Sequence, residues 1–206
     1  MDGGLQRAMA QVWAPEYAGV LRGVHHLVLN TEDMKRTMDF YCGVLGMRLV
    51  GAIKVEDGIG TGPGNRGNPP YENIRHYFFD MGNDSMLAFF EIPKGEKPRG
   101  DRDAIGNMQH VSFVASPEMQ AAMKERLTAF GYVCTGPVNV SPGSYSIYFQ
   151  DPVNGTRLEA TSQPHQGDQQ AVIAHRGQTR AMARAELATL TDDAEWIERA
   201  IQGFKD

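Results

Sequence analysis

The 206-residue chain is poor in cysteine. Its two thiols, Cys42 and Cys134, are too few for a disulfide framework or a four-thiolate zinc site. It has no apolar run approaching the roughly 20 residues that a membrane helix needs. It also lacks a net positive charge. The formal net charge is −5, so the chain has no global attraction for nucleic acid or an anionic membrane, and neither is expected as a partner. Met1–Gly4 shows no basic region leading into an apolar stretch, so no secretory signal is expected and a cytoplasmic location is the default. What is present is an apolar content of 41%, enough for a core, together with six histidines. The length suits one domain or two very small ones.

Residues 1–21 read as an N-terminal amphipathic arm, with Leu5, Met9, Val12 and Trp13 at helical spacing before Pro15. Val24–Leu29 is β-rich and reads as a strand. Asp33 can cap the helix that follows, whose apolar face is Met34, Thr37, Met38, Tyr41, Val44 and Leu45. Gly46 ends it. Glu56–Asn73 is rich in glycine and proline and reads as a long loop, a common form for a lid or binding loop. It is not a phosphate-binding motif, because no helix with a lysine or a glycine fingerprint follows it. Strands at Arg75–Asp80 and Met86–Ile92 form a hairpin about Gly82-Asn83-Asp84. A polar linker covers 94–107.

The pattern then restarts. Met108–Ala115 is a strand, and Ser116 with Pro117 opens a helix that Gly131 closes. Tyr132–Cys134 is extended, and strands follow at Ser146–Gln150 and Thr156–Thr161. His26 to His110 is an offset of 84 residues and Gly46 to Gly131 one of 85. Each half reads strand, helix, three strands. The expectation is an α+β fold of two modules, 22–93 and 108–162, joined around a shared concavity. A helical tail covers 163–206, with a second helix starting at Asp192, which has capping-box spacing to Glu195. The tail should pack on the domain or on a partner subunit.

Within the repeat, His26 and His110 occupy the two first strands, and Glu91 and Glu159 the two last strands. Each glutamate is set among apolar residues, where a carboxylate is costly to bury unless it is paired or bound to metal. A strand histidine is ordinarily a core or surface residue, but four such groups at matching positions point to one metal site. Two nitrogens and two carboxylates suit one divalent ion: Fe(II), Mn(II), Ni(II), Zn(II) or Co(II). His25, one residue off, should point to the other sheet face and be structural. His76 could face the cavity beside the ligands. Tyr77, Phe78, Phe79, Phe89 and Phe90 suggest a partly apolar cavity for an aromatic or hydrophobic small molecule.

The run Val24–Asp33 with Phe40-Tyr41 and Val44–Met47 resembles the opening of the vicinal oxygen chelate superfamily. Gln109–Phe113, Tyr148–Pro152 and Gly155–Glu159 resemble its second half, so the likeness covers about residues 22–162. That group includes glyoxalase I, extradiol ring-cleaving dioxygenases, methylmalonyl-CoA epimerase and fosfomycin resistance proteins. The resemblance implies paired βαβββ modules forming a half-barrel metal cavity, with ligands at His26, Glu91, His110 and Glu159. The modules pair either within a chain or across a homodimer.

Glutamate at both last strands is similar to the glyoxalase type. This implies lyase or isomerase chemistry through a metal-bound enolate, with Glu159 as first choice of base and Glu91 as second. Ring-cleaving members use two histidines and one glutamate, here His26, His110 and Glu159, and Fe(II) extradiol dioxygenation is the alternative. Tyr145 and Tyr148 could then bond substrate. Asn30 stands where glutathione-dependent glyoxalases carry an arginine. Asn139, Val140 and Ser141 stand where ring-cleaving members carry a histidine. A third reading is a non-catalytic small-molecule binding or resistance protein, which the four retained ligands oppose.

Overall fold

The computed structural model describes residues 21, 23–55, 74–162 and 178–204. The expected N-terminal arm and the glycine-rich loop lie outside these residues. β-rich sequence at the start of the first module forms β1 (His26–Thr31). Asp33 then caps α1 (Met34–Met38), its carboxylate accepting from Arg36 N at 3.0 Å. The helix runs on as a π-helical turn over Asp39–Val44, closed by Leu45 N donating to Phe40 O at 3.0 Å. This turn buries Phe40, Tyr41 and Val44 together. Gly46 at φ +79° then reverses the chain, a conformation glycine adopts without strain.

Three strands follow: β2 (Leu49–Val55), β3 (Ile74–Gly82) and β4 (Ser85–Glu91). They pair antiparallel, while β1 runs parallel to β4, giving the order β1-β4-β3-β2. The second module repeats this. β5 (Val111–Ala115) leads to α2 (Pro117–Ala129), capped by Ser116 with Pro117 in the first turn. Then come β6 (Thr135–Ser141), β7 (Ser144–Gln150) and β8 (Arg157–Ser162), in the order β5-β8-β7-β6 with β5 parallel to β8. The two-module α+β expectation is met. The expected extended stretch Tyr132–Cys134 lies just before β6, whose own alternation is masked by exposed polar and proline residues.

Side-chain alternation sorts each sheet into two faces. In the first, Leu27, Leu29, Phe79, Leu87 and Phe89 face the helices. In the second, Val111, Phe113, Ile147, Phe149, Leu158 and Ala160 do so. Both sets belong to one hydrophobic core that also contains Met34, Phe40, Tyr41, Val44 and Leu127. Phe40 meets Tyr132 edge-on at 5.4 Å between ring centres. Arg126 donates to Gly43 O at 2.6 Å, and Tyr41 Oη donates to Asp151 Oδ2 at 3.1 Å. The modules therefore join through their helix-packed sides. The other face of each sheet points away from that shared core.

Residues 178–204 belong to a separate compact unit. It contains α3 (Arg180–Leu187) and α4 (Ala194–Ala200), which bury Ala183, Ile197 and Ile201. Glu198 pairs with Arg180 and Arg184. The cap of α4 is Asp193, which accepts from Trp196 N at 3.0 Å, one residue later than the expected Asp192. The Asp193 carboxylate reaches the free Trp196 amide three residues on, as an N-cap side chain does.

Candidate functional site

The face of the second sheet turned from the core is polar and connected. His110 directly precedes β5, and its Nε2 lies 2.9 Å from Glu159 Oε2. Glu159 sits on β8 between the core residues Leu158 and Ala160, and is itself 7% exposed. Thr161 donates to Glu159 Oε1 at 3.2 Å. Ser146 and Ser112 stand 2.9 and 2.7 Å from the Thr161 hydroxyl. Tyr148, opposite Glu159 in register, also hydrogen-bonds the carboxylate, and the Arg157 guanidinium lies over its ring at 5.5 Å.

Burial pushes the Glu159 carboxyl up. Hydrogen bonds from Ser146, Tyr148 and Thr161, with the field of His110, outweigh it and hold the group below the usual carboxylate range. Burial raises the Tyr148 phenol, with Glu159 adding to the effect. Gln109 Oε1 bonds His110 Nδ1. In the tautomer that donates Nδ1–H to that oxygen, the Nε2 lone pair and the Glu159 oxygen converge on one point. This is the donor arrangement a divalent cation takes, with the second ring nitrogen oriented by a partner.

The corresponding face of the first sheet carries His26, Val28, Asn30, His76, Phe78 and Phe90. His26 is exposed, edge-on to Phe78 at 6.0 Å. His76 is buried, stacked on Phe90 at 3.8 Å, with no partner for Nε2 among the described residues. Burial and the nearby His26 lower its pKa to about 4. His25 departs from expectation. It precedes β1, so strand alternation does not govern it, and its Nδ1 lies 2.7 Å from His26 Nδ1. It buttresses His26 instead of facing away.

Glu91 also departs from expectation. It lies on the same side of β4 as Leu87 and Phe89, facing the helix. There Oε1 accepts from Met34 N at 2.8 Å and Oε2 pairs with Arg75. The register identifies the true counterpart of Glu159. Glu159 stands beside Ser112, two residues after His110, and the residue beside Val28, two after His26, is Ala88. The first module thus offers a histidine and no carboxylate at this position. Tyr145 is likewise on the helix side of β7 with Ile147 and Phe149, so the expected substrate contact is not made from that face. Asn30 lies on the face of the first sheet that carries His26, and Tyr148 on the face of the second that carries Glu159. Among the described residues, no three of the histidine, cysteine and acidic side chains gather in one place. One chain joins His110 with Glu159, and leaves His26 on the other sheet.

A model of the Glyoxalase/Bleomycin resistance protein/Dioxygenase superfamily matches residues 23–160. No curated protein is similar enough to count as a match. Among solved structures, a glyoxalase/bleomycin resistance protein/dioxygenase domain from Frankia sp. EAN1pec is 20% identical with TM-score 0.53, covering 69% of this chain and 98% of that one. A glyoxalase/dioxygenase from Nostoc punctiforme is 22% identical with TM-score 0.52, covering 75% and 98%. A glyoxalase family protein from Enterococcus faecalis is 19% identical with TM-score 0.52, covering 69% and 99%. These likenesses concern the fold.

Proposed function

The chain belongs to the Glyoxalase/Bleomycin resistance protein/Dioxygenase superfamily, and from that premise we propose that it is a divalent-metal enzyme whose ligands are His26, His110 and Glu159. The observation that carries this reading is Ala88 in the register position where a second glutamate would complete a four-ligand site. Two histidines and one carboxylate, with positions left open, are the donor set of non-haem Fe(II) oxygenases. The reading is therefore ring-cleaving dioxygenation of an aromatic molecule with two adjacent oxygens. When bound, the metal would supply Lewis acidity toward those oxygens and a place for dioxygen.

The chain's own residues do the rest. Tyr148 and Asn30 offer hydrogen bonds from the two facing walls, and Phe78 and Phe90 offer an apolar surface to a ring. The glyoxalase-type reading is second. It is supported by Glu159 as a positioned carboxylate base, but it loses the second carboxylate expected at Glu91.

The ligand set is assembled from two copies: His26 of one with His110 and Glu159 of the partner subunit. Within a chain the two candidate faces point away from one core. Among the described residues, β1 and β5 are the outer strands of their sheets with no strand beyond them, able to meet another copy.

Metal content after anaerobic purification tests the function. Iron, with oxygen uptake on catechol, is the expected result. Nickel, zinc, cobalt or manganese with proton exchange next to a carbonyl would favour the second reading. Full metal retention in both His26→Ala and Glu159→Ala would overturn the site.

A further inference from the structure

A ladder of hydroxyls stands behind Glu159 on the exposed side of the second sheet. Thr161 Oγ1 lies 3.2 Å from Glu159 Oε1, and Ser112 Oγ lies 2.7 Å from Thr161 Oγ1. Ser146 Oγ approaches Thr161 Oγ1 at 2.9 Å from the neighbouring strand. Three adjacent strands, β5, β8 and β7, each contribute one member.

The chemistry sets the direction of the bonds. A threonine hydroxyl has one proton and two acceptor lone pairs, and an ionised carboxylate can only accept. The Thr161 proton is therefore committed to Glu159 Oε1. Ser112 must then donate to Thr161. The outer end of the ladder, Ser112, is exposed on an edge strand, where water can accept and donate to it.

The result is a division of labour between the two carboxylate oxygens. Oε1 is taken by Thr161. Oε2 is the oxygen that faces His110 Nε2 at 2.9 Å. A carboxylate bonded by Thr161 at Oε1, with Ser146 and Tyr148 also hydrogen-bonded to it, cannot rotate freely about its Cγ–Cδ bond, and Oε2 faces His110 Nε2, where a cation would sit.

We propose that Thr161, backed by Ser112, is a positioning residue that holds Glu159 for one-oxygen binding of a divalent metal. This rests on Glu159 being a metal ligand, as argued above. Outer-shell groups that orient a ligand typically change metal affinity by about 10–100-fold when removed. The Thr161 hydroxyl falls in that class, and Ser112, one bond further out, should have a smaller effect.

The test is a Co(II) titration of the full chain against a competing chelator, with thermal melting of each variant alongside. Thr161→Val keeps the shape and removes the hydroxyl, and should weaken Co(II) binding at least tenfold. Thr161→Ser restores the hydroxyl, and should stay within about threefold of the parent. Ser112→Ala should weaken binding a few-fold at an unchanged melting temperature.

A Thr161→Val affinity within twofold of the parent would overturn the proposal. So would a Thr161→Ser variant as weak as Thr161→Val, since the methyl group would then be what matters. Should Thr161→Val melt early, Ser112→Ala decides: a weakened affinity supports the ladder and an unchanged one refutes it. Glu159→Ala is the separate control for the ligand itself. If it binds Co(II) as the parent does, the functional reading fails, whatever the ladder does to the carboxylate.

Discussion

Tyr41 and Asp151 meet across the boundary between the two modules, hydroxyl to carboxylate at 3.1 Å, with both residues 0% exposed. Asp151 also accepts from Val153 N, Asn154 N and Asn154 Nδ2, so its oxygens are satisfied in place. Tyr41→Phe removes one of these bonds from a buried carboxylate and should cost about 1–2 kcal/mol. Asp151→Ala strips the partner from four donors and should cost more, about 3 kcal/mol or above. Urea unfolding of the two variants checks the order. Equal, negligible losses would remove the pair from the account of how the modules join.

His76 should make stability depend on pH. Its folded pKa is about 4, below the ordinary histidine value of 6.5, because burial and His26 disfavour the charged ring. The folded state therefore binds fewer protons than the unfolded state between these values, and stability falls as pH drops from about 6.5 toward 4. Above that window the term is fully present. His76→Phe keeps the stacking on Phe90 and removes the titrating group. Its unfolding free energy should show a shallower slope across pH 4–6.5 than the parent's.

Sharing of the metal site between two copies predicts complementation. His26→Ala and Glu159→Ala chains should each fail to hold Co(II) alone. Mixed and refolded together, they form hybrids in which one site carries both changes and the other carries neither. About one tightly bound Co(II) per hybrid dimer is expected. No recovery on mixing, with hybrids demonstrated by mass, would mean that the ligands come from a single chain.

Glu91 should be structural. Its carboxylate accepts from Met34 N at the start of α1 and pairs with Arg75. Glu91→Ala should lower stability by about 1 kcal/mol, in the range of a lost helix cap, and leave Co(II) affinity unchanged. A tenfold loss of affinity would restore Glu91 to the ligand set.

Much of this molecule is local, and local features are legible in the residues. Asp33 and Ser116 cap the helices they precede because a short polar side chain reaches back to free amides. Gly46 and Gly131 end the helical segments at positive φ, where other residues are strained. The repeated order of strand, helix and three strands follows from such signals, and it places His26 and His110 at the starts of the two first strands and Glu159 on the last strand of the second module. The cap at Asp193 instead of Asp192 shows the limit of that reading, a single residue at a boundary.

What the tertiary structure decided is facing. A strand turns alternate side chains to opposite sides, so one residue of register moves a carboxylate from a cavity to a helix. The uninterrupted pairing of β4 with β1 sets Ala88 beside Val28, where a second glutamate would stand, and the alternation of β4 sends Glu91 to Met34. The sequence by itself determined the two repeated modules and marked His26, Glu91, His110 and Glu159 as candidates. Only the packing of both helix-bearing faces into one core decided that His26 and Glu159 stand on outward faces of the same chain. Pairing of modules is a long-range choice, made by burial of Tyr41, Phe40 and Leu127 together and not by any local pattern.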